Sequence, residues 1–230
     1  MIDWREIDTV LLDMDGTLLD LHFDSHFWLE HLPRRYVELH QLDQASQEAL
    51  KARIMGEQGT LNWYSLAYWS RELNVDIVAL KREVQHLIGL RSDALDFLTW
   101  LKQAHPRVVL ATNADRASLA LKLPLTGLEN YLDAIISSED VGAAKEEQAF
   151  WFALQEREPF DPARTLFIDD NARVLESAHE FGIKHLLGIK QPDSQRPEKE
   201  LQEFIALDRF AQLLAKAAWA TAPTGRSRLP

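Results

Sequence analysis

The sequence predicts an α/β protein, a doubly wound parallel sheet with an all-helical segment inserted after its first strand. Three observations carry that prediction. From Arg107 onward, short apolar runs of strand length alternate with amphipathic helical periods, which is how a parallel sheet covered by helices on both faces reads. Residues 21–91 show repeated helical periods and no alternating strand pattern. Several of the apolar runs end in polar or acidic side chains, at the strand ends where open α/β sheets take their ligands.

The first run is Thr9-Val10-Leu11-Leu12, followed by Asp13-Met14-Asp15-Gly16-Thr17. Side chains alternate along a strand, so Asp13 and Asp15 aim at one point while Leu12 and Met14 anchor the opposite face. Gly16 lets the backbone turn sharply and approach a ligand. Residues 1–8 read as a covering segment anchored by Trp4 and Ile7.

Helical periods then run through Phe23, Phe27 and Leu32, from Leu39 to Ile54, from Leu61 to Leu73 and from Ile77 to Ile88. Pro33 is expected to break or kink the first of these, and Thr60, after Gly56 and Gly59, reads as a helix N-cap. Ser92 reads as the N-cap of a helix carrying Leu95, Leu98 and Leu101. Further strands are expected at Arg107 to Ala111, Ala134 to Ser137, Thr165 to Ile168 and His185 to Leu187. Helices are expected at Arg116 to Leu123, Lys145 to Glu156 and Ala172 to Phe181, with Gly182 in the left-handed position that ends the last. One more amphipathic helix is expected from Leu201 to Trp219. The resulting division is an α/β core of 1–20 and 92–220, a helical cap of 21–91, and a disordered tail of 221–230.

The totals narrow the function. A net charge of -11 argues against binding to nucleic-acid polymers or anionic membranes, both of which need clustered Lys and Arg. It leaves small phosphorylated molecules open. The chain has no cysteine, hence no disulfide framework and no thiolate metal site, and it shows no signal peptide or membrane-length apolar run. A cytoplasmic protein is expected; the sequence does not set its oligomeric state, and a monomer fits it.

Chemistry concentrates at four places: Asp13 and Asp15, the Thr112-Asn113 pair ending the Val108–Ala111 run, Lys145, and the Asp169-Asp170 pair ending Leu166–Ile168. Four carboxylates in one cleft cannot all ionise unaided, since two like charges about 4 Å apart repel by about 4 kcal/mol at an effective dielectric of about 20. They need a cation. An all-oxygen donor set selects a hard ion, most simply Mg²⁺. Lys145 adds a positive charge and Thr112 a hydroxyl, both suited to phosphoryl oxygens.

In that order, Asp13-Met14-Asp15-Gly16-Thr17, Thr112-Asn113, Lys145 and Asp169-Asp170 resemble the four motifs of the haloacid dehalogenase-like (HAD) phosphohydrolases. The helical insert resembles that superfamily's type 1 cap. The resemblance implies Asp13 as a nucleophile that becomes an aspartyl-phosphate, and Asp15 as general acid and then base. It implies Thr112, Asn113 and Lys145 around the substrate phosphate. It also implies a metal held by Asp13, the Asp15 backbone carbonyl and Asp170, with Asp169 acting directly or through water. Glu146 departs from the pattern, standing where many relatives have Pro. Asp20-Leu21, Phe23-Asp24, Phe27-Trp28, Thr60 to Tyr64, Tyr68-Trp69-Ser70, Thr126-Gly127-Leu128, Lys145-Glu146 and Arg164 to Asp170 resemble the bacterial purine 5′-nucleotidases that hydrolyse GMP and IMP. That likeness implies a purine nucleotide as the small-molecule substrate.

A purine needs flat apolar walls, for which the cap offers Phe27, Trp28, Trp63, Tyr64, Tyr68 and Trp69, with Asn62 or an acidic neighbour for the base edge. The same aromatics also suit the cap's own core. His22 and His26 are four residues apart but lack a third ligand, and Arg34-Arg35 read as a solvated face. Phosphoglycolate or a sugar phosphate remains an alternative substrate, and a phosphomutase or a non-catalytic binding module remains an alternative role. A haloacid dehalogenase has no use for Asp15, Asp169 and Asp170. A receiver-type signalling domain would place its acidic pair first and carry no cap after the phospho-accepting Asp.

Overall fold

The computed structural model describes residues 2–104, 106–201 and 203–214. In chain order the elements are β1 (Thr9–Leu12), α1 (His22–His26), α2 (Leu32–His40), α3 (Ala45–Gly56), α4 (Leu61–Tyr64), α5 (Leu66–Leu73), α6 (Ile77–Glu83) and α7 (Ala94–Ala104). They continue with β2 (Arg107–Thr112), α8 (Arg116–Thr126), β3 (Ala134–Ser137), α9 (Ser138–Val141), α10 (Gln148–Arg157), β4 (Thr165–Asp169), α11 (Ala172–Phe181), β5 (His185–Ile189) and β6 (Ala206–Leu207).

Every residue of β1 is apolar or β-branched and every one is buried, as a strand covered on both faces requires. It lies inside the sheet, whose order is β3-β2-β1-β4-β5-β6 with all pairs parallel. Leu12 pairs with Leu110 on one side and Ile168 on the other. That register brings Asp13, the Thr112-Asn113 pair and the Asp169-Asp170 pair to one rim.

The period of two sorts the strand residues into two cores. Val10, Leu12, Leu110 and Ile168 face α7, where Phe97 stacks on Phe210 with centroids 4.6 Å apart. Leu11, Val109 and Phe167 face α10 and α11, where Trp151 is fully buried. A third apolar cluster, built on Phe23, Phe27, Leu50, Ile54, Trp69 and Ile77, sits within the helical segment between β1 and α7.

Local expectations fare unevenly. Thr60 does cap α4, accepting from Trp63 N at 3.3 Å, and Gly182 ends α11 with φ of 107°. Pro33 does not break its helix. The chain stays helical from α1 into α2 through a wide turn at Phe27–His31, closed by Leu32 N donating to Phe27 O, and Pro33 enters in the first turn of α2, where its missing N–H costs least. The Leu39–Ile54 period is interrupted at Gln41, which takes φ of 54°. α7 begins at Ala94, so Ser92 is not its cap, and α10 begins at Gln148, leaving Lys145 in the preceding turn.

The helix expected from Leu201 is also absent at its start. Leu201, Phe204, Ile205 and Leu207 mimic a helical period, but β5 has an open edge whose backbone groups need partners, and that requirement prevails. Gly188 N donates to Ile205 O and Lys190 N to Leu207 O, forming β6, and helix starts only at residue 211. The rest of that helix, and the 221–230 tail, lie outside the described residues.

Gly16 is the tightest backbone position at the rim. It has φ of 88°, and a Cβ there would lie 2.8 Å from Asp170 Cγ and 3.0 Å from Pro192 Cβ. Gly16→Ala should therefore cost about 1–3 kcal/mol in denaturant unfolding. An unchanged midpoint and slope would show that the turn does not need glycine.

Candidate active site

Three carboxylates meet where β1 and β4 end. Asp13, Asp169 and Asp170 each present one oxygen, all within 4.8 Å of one another. Asp13 is one residue past β1, and its N–H donates to Ile168 O at 3.0 Å, which fixes it against β4. Lys145 reaches into the group from the turn before α10, with Nζ 2.5 Å from Asp13 Oδ1 and 2.6 Å from Asp169 Oδ2. Its backbone is held at both ends: its N–H donates to Asn113 Oδ1 at 2.9 Å, and its carbonyl accepts from Trp151 Nε1 at 2.9 Å. Asp169 also accepts from Asn171 N, and Asp170 accepts from Lys199 Nζ at 2.9 Å.

The electrostatics show a charge deficit. Burial pushes the Asp13 carboxyl well above its ordinary range; Lys145 pulls it back, while Asp169 and Asp170 push it further up. Asp170 is raised for the same leading reason, against the pull of Lys199. Burial works to lower Lys145, but the two aspartates it bridges outweigh this and raise it. Two ammonium groups thus leave the carboxylates under-compensated. An all-oxygen donor set with that deficit fits a hard divalent cation.

Asp15 does not join this group. Its carboxylate pairs with Lys122 Nζ at 2.7 Å, and Lys122 also reaches Asp24 Oδ2 at 2.6 Å. Lys81 Nζ lies 2.6 Å from Asp24 Oδ1 and within 4.8 Å of the Phe23 and Phe27 ring centroids. Asp15, Lys122, Asp24 and Lys81 therefore form a row of alternating charge running from the sheet rim into α1 and α6. Burial raises the Asp15 carboxyl and Lys122 opposes it. For Asp24 burial also acts to raise, but its two lysines prevail and bring it to about 2.

Thr112 and Asn113 stand at the rim as expected. Thr112 Oγ1 accepts from Ala114 N at 3.0 Å. The Asn113 side chain is engaged at both ends, its Oδ1 accepting from Lys145 N at 2.9 Å and its Nδ2 donating to Glu146 Oε2 at 3.0 Å, and the residue lines the adjoining cavity.

Beside these groups lies a cavity of about 380 Å³, with Asp13, Asp15, Thr112, Lys145 and Asp169 on the sheet side and Trp28, Met55, Gln58, Trp63 and Tyr64 on the helical side. The cap aromatics are thereby sorted. Trp28, Trp63 and Tyr64 line the cavity; Phe27 and Trp69 are buried in the cap's own core, and Tyr68 bonds Glu57. Asn62 is exposed and does not line the cavity. His26 pairs with Glu30, His22 lies 3.6 Å from Asp193, and Arg35 bridges Glu38 and Glu83.

Lys81 and Lys122 escaped sequence reasoning because an isolated lysine reads as solvated. The available signal was position: Lys81 follows Leu80 on the buried face begun by Ile77, and Lys122 lies four residues beyond buried Ser118. Among the described residues no helix is long and apolar enough to cross a membrane.

Comparison with known proteins agrees with this geometry. The haloacid dehalogenase-like hydrolase family model matches residues 7–182. The chain is 41% identical over 214 residues to the GMP/IMP nucleotidase YrfG of Escherichia coli (strain K12), covering 93% of this chain and 96% of that one. It is 23% identical over 188 residues to a phosphorylated carbohydrates phosphatase of Thermotoga maritima, covering 80% and 85% of the two chains. Among solved structures, a HAD phosphatase from Thermococcus onnurineus superposes with a TM-score of 0.76 at 20% identity, covering 92% of this chain and 98% of that one.

Asp24 carries the charge row, and its removal has a definite signature. Its carboxyl is depressed in the fold, so its contribution is fully present above the unfolded value of about 3.9 and is lost as pH falls through about 2. Asp24→Asn strips Lys81 of its carboxylate partner and should cost about 3–5 kcal/mol at neutral pH. In denaturant unfolding the gap between parent and variant should narrow as pH drops from about 4 toward 2. A gap that stays constant through that window would contradict the assignment.

Proposed function

This chain belongs to the haloacid dehalogenase-like hydrolases, and on that premise we propose that it is a Mg²⁺-dependent phosphomonoesterase acting on purine 5′-nucleotides, GMP and IMP foremost. The observation that carries the substrate class is the 41% identity to a GMP/IMP nucleotidase over 93% of the chain, a span that includes the helical segment walling the cavity.

In this reading the Asp13 carboxylate attacks phosphorus, the ester oxygen departs as the nucleoside hydroxyl, and Asp13 becomes an aspartyl-phosphate. Asp15 gives its proton to the departing oxygen, then takes one from the water that attacks the phosphorus of the intermediate, releasing orthophosphate and restoring Asp13. A proton donor must be protonated near neutral pH, and burial of Asp15 favours that form while Lys122 opposes it. Lys145 and Thr112 receive the phosphoryl oxygens, the ammonium offsetting their charge and the hydroxyl orienting them. Asp13, Asp169 and Asp170 would hold the Mg²⁺ ion, joined by the Asp15 carbonyl as the family resemblance implies; bound there, it supplies the positive charge that three carboxylates and a phosphoryl group together require.

The cavity wall supports a purine as the base. Trp28, Trp63 and Tyr64 offer flat faces, and Met55 a polarizable one, on the side opposite the carboxylates.

Phosphate release by the purified protein with Mg²⁺ should be fastest on GMP and IMP among a panel that includes AMP, a pyrimidine nucleotide, phosphoglycolate and a sugar phosphate. A faster rate on phosphoglycolate or the sugar phosphate would keep the core chemistry and move the substrate. EDTA should abolish turnover and Mg²⁺ restore it, whereas full activity in chelator would remove the metal from the account. If Trp63 stacks on the base, Trp63→Ala should lower kcat/KM for GMP by about 10- to 100-fold and leave p-nitrophenyl phosphate little changed. Equal losses on both substrates would assign Trp63 to the packing of the cap.

A further inference from the structure

Glu146 sits beside Lys145, half-buried, and both of its carboxylate oxygens are engaged by neighbouring side chains. One oxygen, Oε1, accepts from the Tyr64 hydroxyl at 2.7 Å, and the other, Oε2, accepts from Asn113 Nδ2 at 3.0 Å. Tyr64 ends α4 in the helical segment and its ring lines the cavity; Asn113 follows β2 at the sheet rim. One carboxylate thus joins the cap to the core. A second contact lies close by in sequence, where Leu66 N, at the start of α5, donates to Asp115 Oδ2 at 2.6 Å.

The chemistry of the amide gives this chain of bonds a direction. Glu146 is an acceptor only, so the Asn113 side chain must turn its NH₂ toward it, and its Oδ1 is then left to accept from Lys145 N at 2.9 Å. The reversed amide would set NH₂ against N–H at Lys145 and oxygen against carboxylate at Glu146. The phenol end is equally committed. Burial raises the Tyr64 hydroxyl far above its ordinary range and the neighbouring Glu146 charge adds to this, so it remains a donor at any working pH.

We propose that Tyr64, Glu146 and Asn113 are positioning residues that fix the Lys145 turn, placing the Lys145 ammonium against the phosphoryl group only when the cap helix α4 is seated on the core. The proposal rests on the reading of Lys145 as the cation at the phosphoryl group and is independent of which base the cavity holds. This positioning role does not run through contact with the substrate, and the Tyr64 ring that walls the cavity is separate from the hydroxyl that bonds Glu146. The effect of the three side chains passes through the backbone N–H of Lys145, and any phosphomonoester should feel it.

The test uses the full-length protein with Mg²⁺ and three readouts: turnover of GMP, turnover of p-nitrophenyl phosphate, and inhibition by tungstate, an oxyanion that occupies a phosphoryl site. Tyr64→Phe deletes one oxygen and keeps the aromatic wall. It should lower kcat about tenfold on both substrates with KM little changed, and weaken tungstate inhibition in proportion, while the melting temperature moves by only a few degrees. Glu146→Gln presents an NH₂ to one of its two donors and should give at least as large a loss. The double variant should be no worse than Glu146→Gln alone, because both changes break one chain.

Unchanged kcat and tungstate inhibition in Tyr64→Phe would overturn the proposal. So would a loss confined to GMP, which would make the phenol a base contact, or losses that multiply in the double variant. If Glu146→Gln fails to fold, the Tyr64→Phe readouts still decide. Lys145→Met with tungstate inhibition intact would instead overturn the underlying reading of Lys145, a result separable from any of these.

Discussion

Three buried carboxylates brought to one point at the rim of a parallel sheet form the constraint to which the rest of this structure answers. Asp13, Asp169 and Asp170 arrive there because β1 and β4 pair in register and both end at the same level. Burial and the neighbouring carboxylates push the Asp13 and Asp170 carboxyls upward, and Lys145 and Lys199 offset only part of that cost. A site in this condition draws in further positive charge and holds carboxylate oxygens next to it. Both are what transfer of a phosphoryl group demands.

The helical segment answers the same constraint from the other side. Asp15, two residues beyond Asp13, is tied through Lys122 to Asp24 in α1, and Asp24 in turn to Lys81 in α6. Such a row is costly to bury and tolerable only because every charge in it has an opposite neighbour. Its consequence is that the charged groups around Asp15 come both from α8, which follows β2, and from the helical segment between β1 and α7. The cavity beside it has the same composite origin, polar on the sheet side, with the aromatic faces of Trp28, Trp63 and Tyr64 and the charged Asp24 and Lys81 on the helical side.

Much of this was legible in the sequence, and the reasons it was or was not are physical. Asp13, Asp15, Thr112, Asp169 and Asp170 announced themselves because each follows an apolar run too short to be anything but a strand, and charge at such a place needs a purpose. Lys81 and Lys122 gave no comparable signal, since a lysine on an amphipathic helix ordinarily extends its amine into water. The Glu146 departure from the familial pattern was visible, but its partner Tyr64 lies 82 positions away and no local rule connects them. β6 was hidden for a different reason: two residues of strand are set by the open edge they cover rather than by their own periodicity.

In the proposed mechanism the phosphoryl group is transferred to Asp13 before water takes it. The direct measurement is to quench the enzyme during turnover of GMP with Mg²⁺, reduce it with borohydride, and sequence the protein by mass spectrometry. An acyl phosphate is reduced to an alcohol where a free carboxylate is not, so homoserine is expected at position 13, absent without substrate. Steady release of phosphate with Asp13 left unmodified would contradict that mechanism.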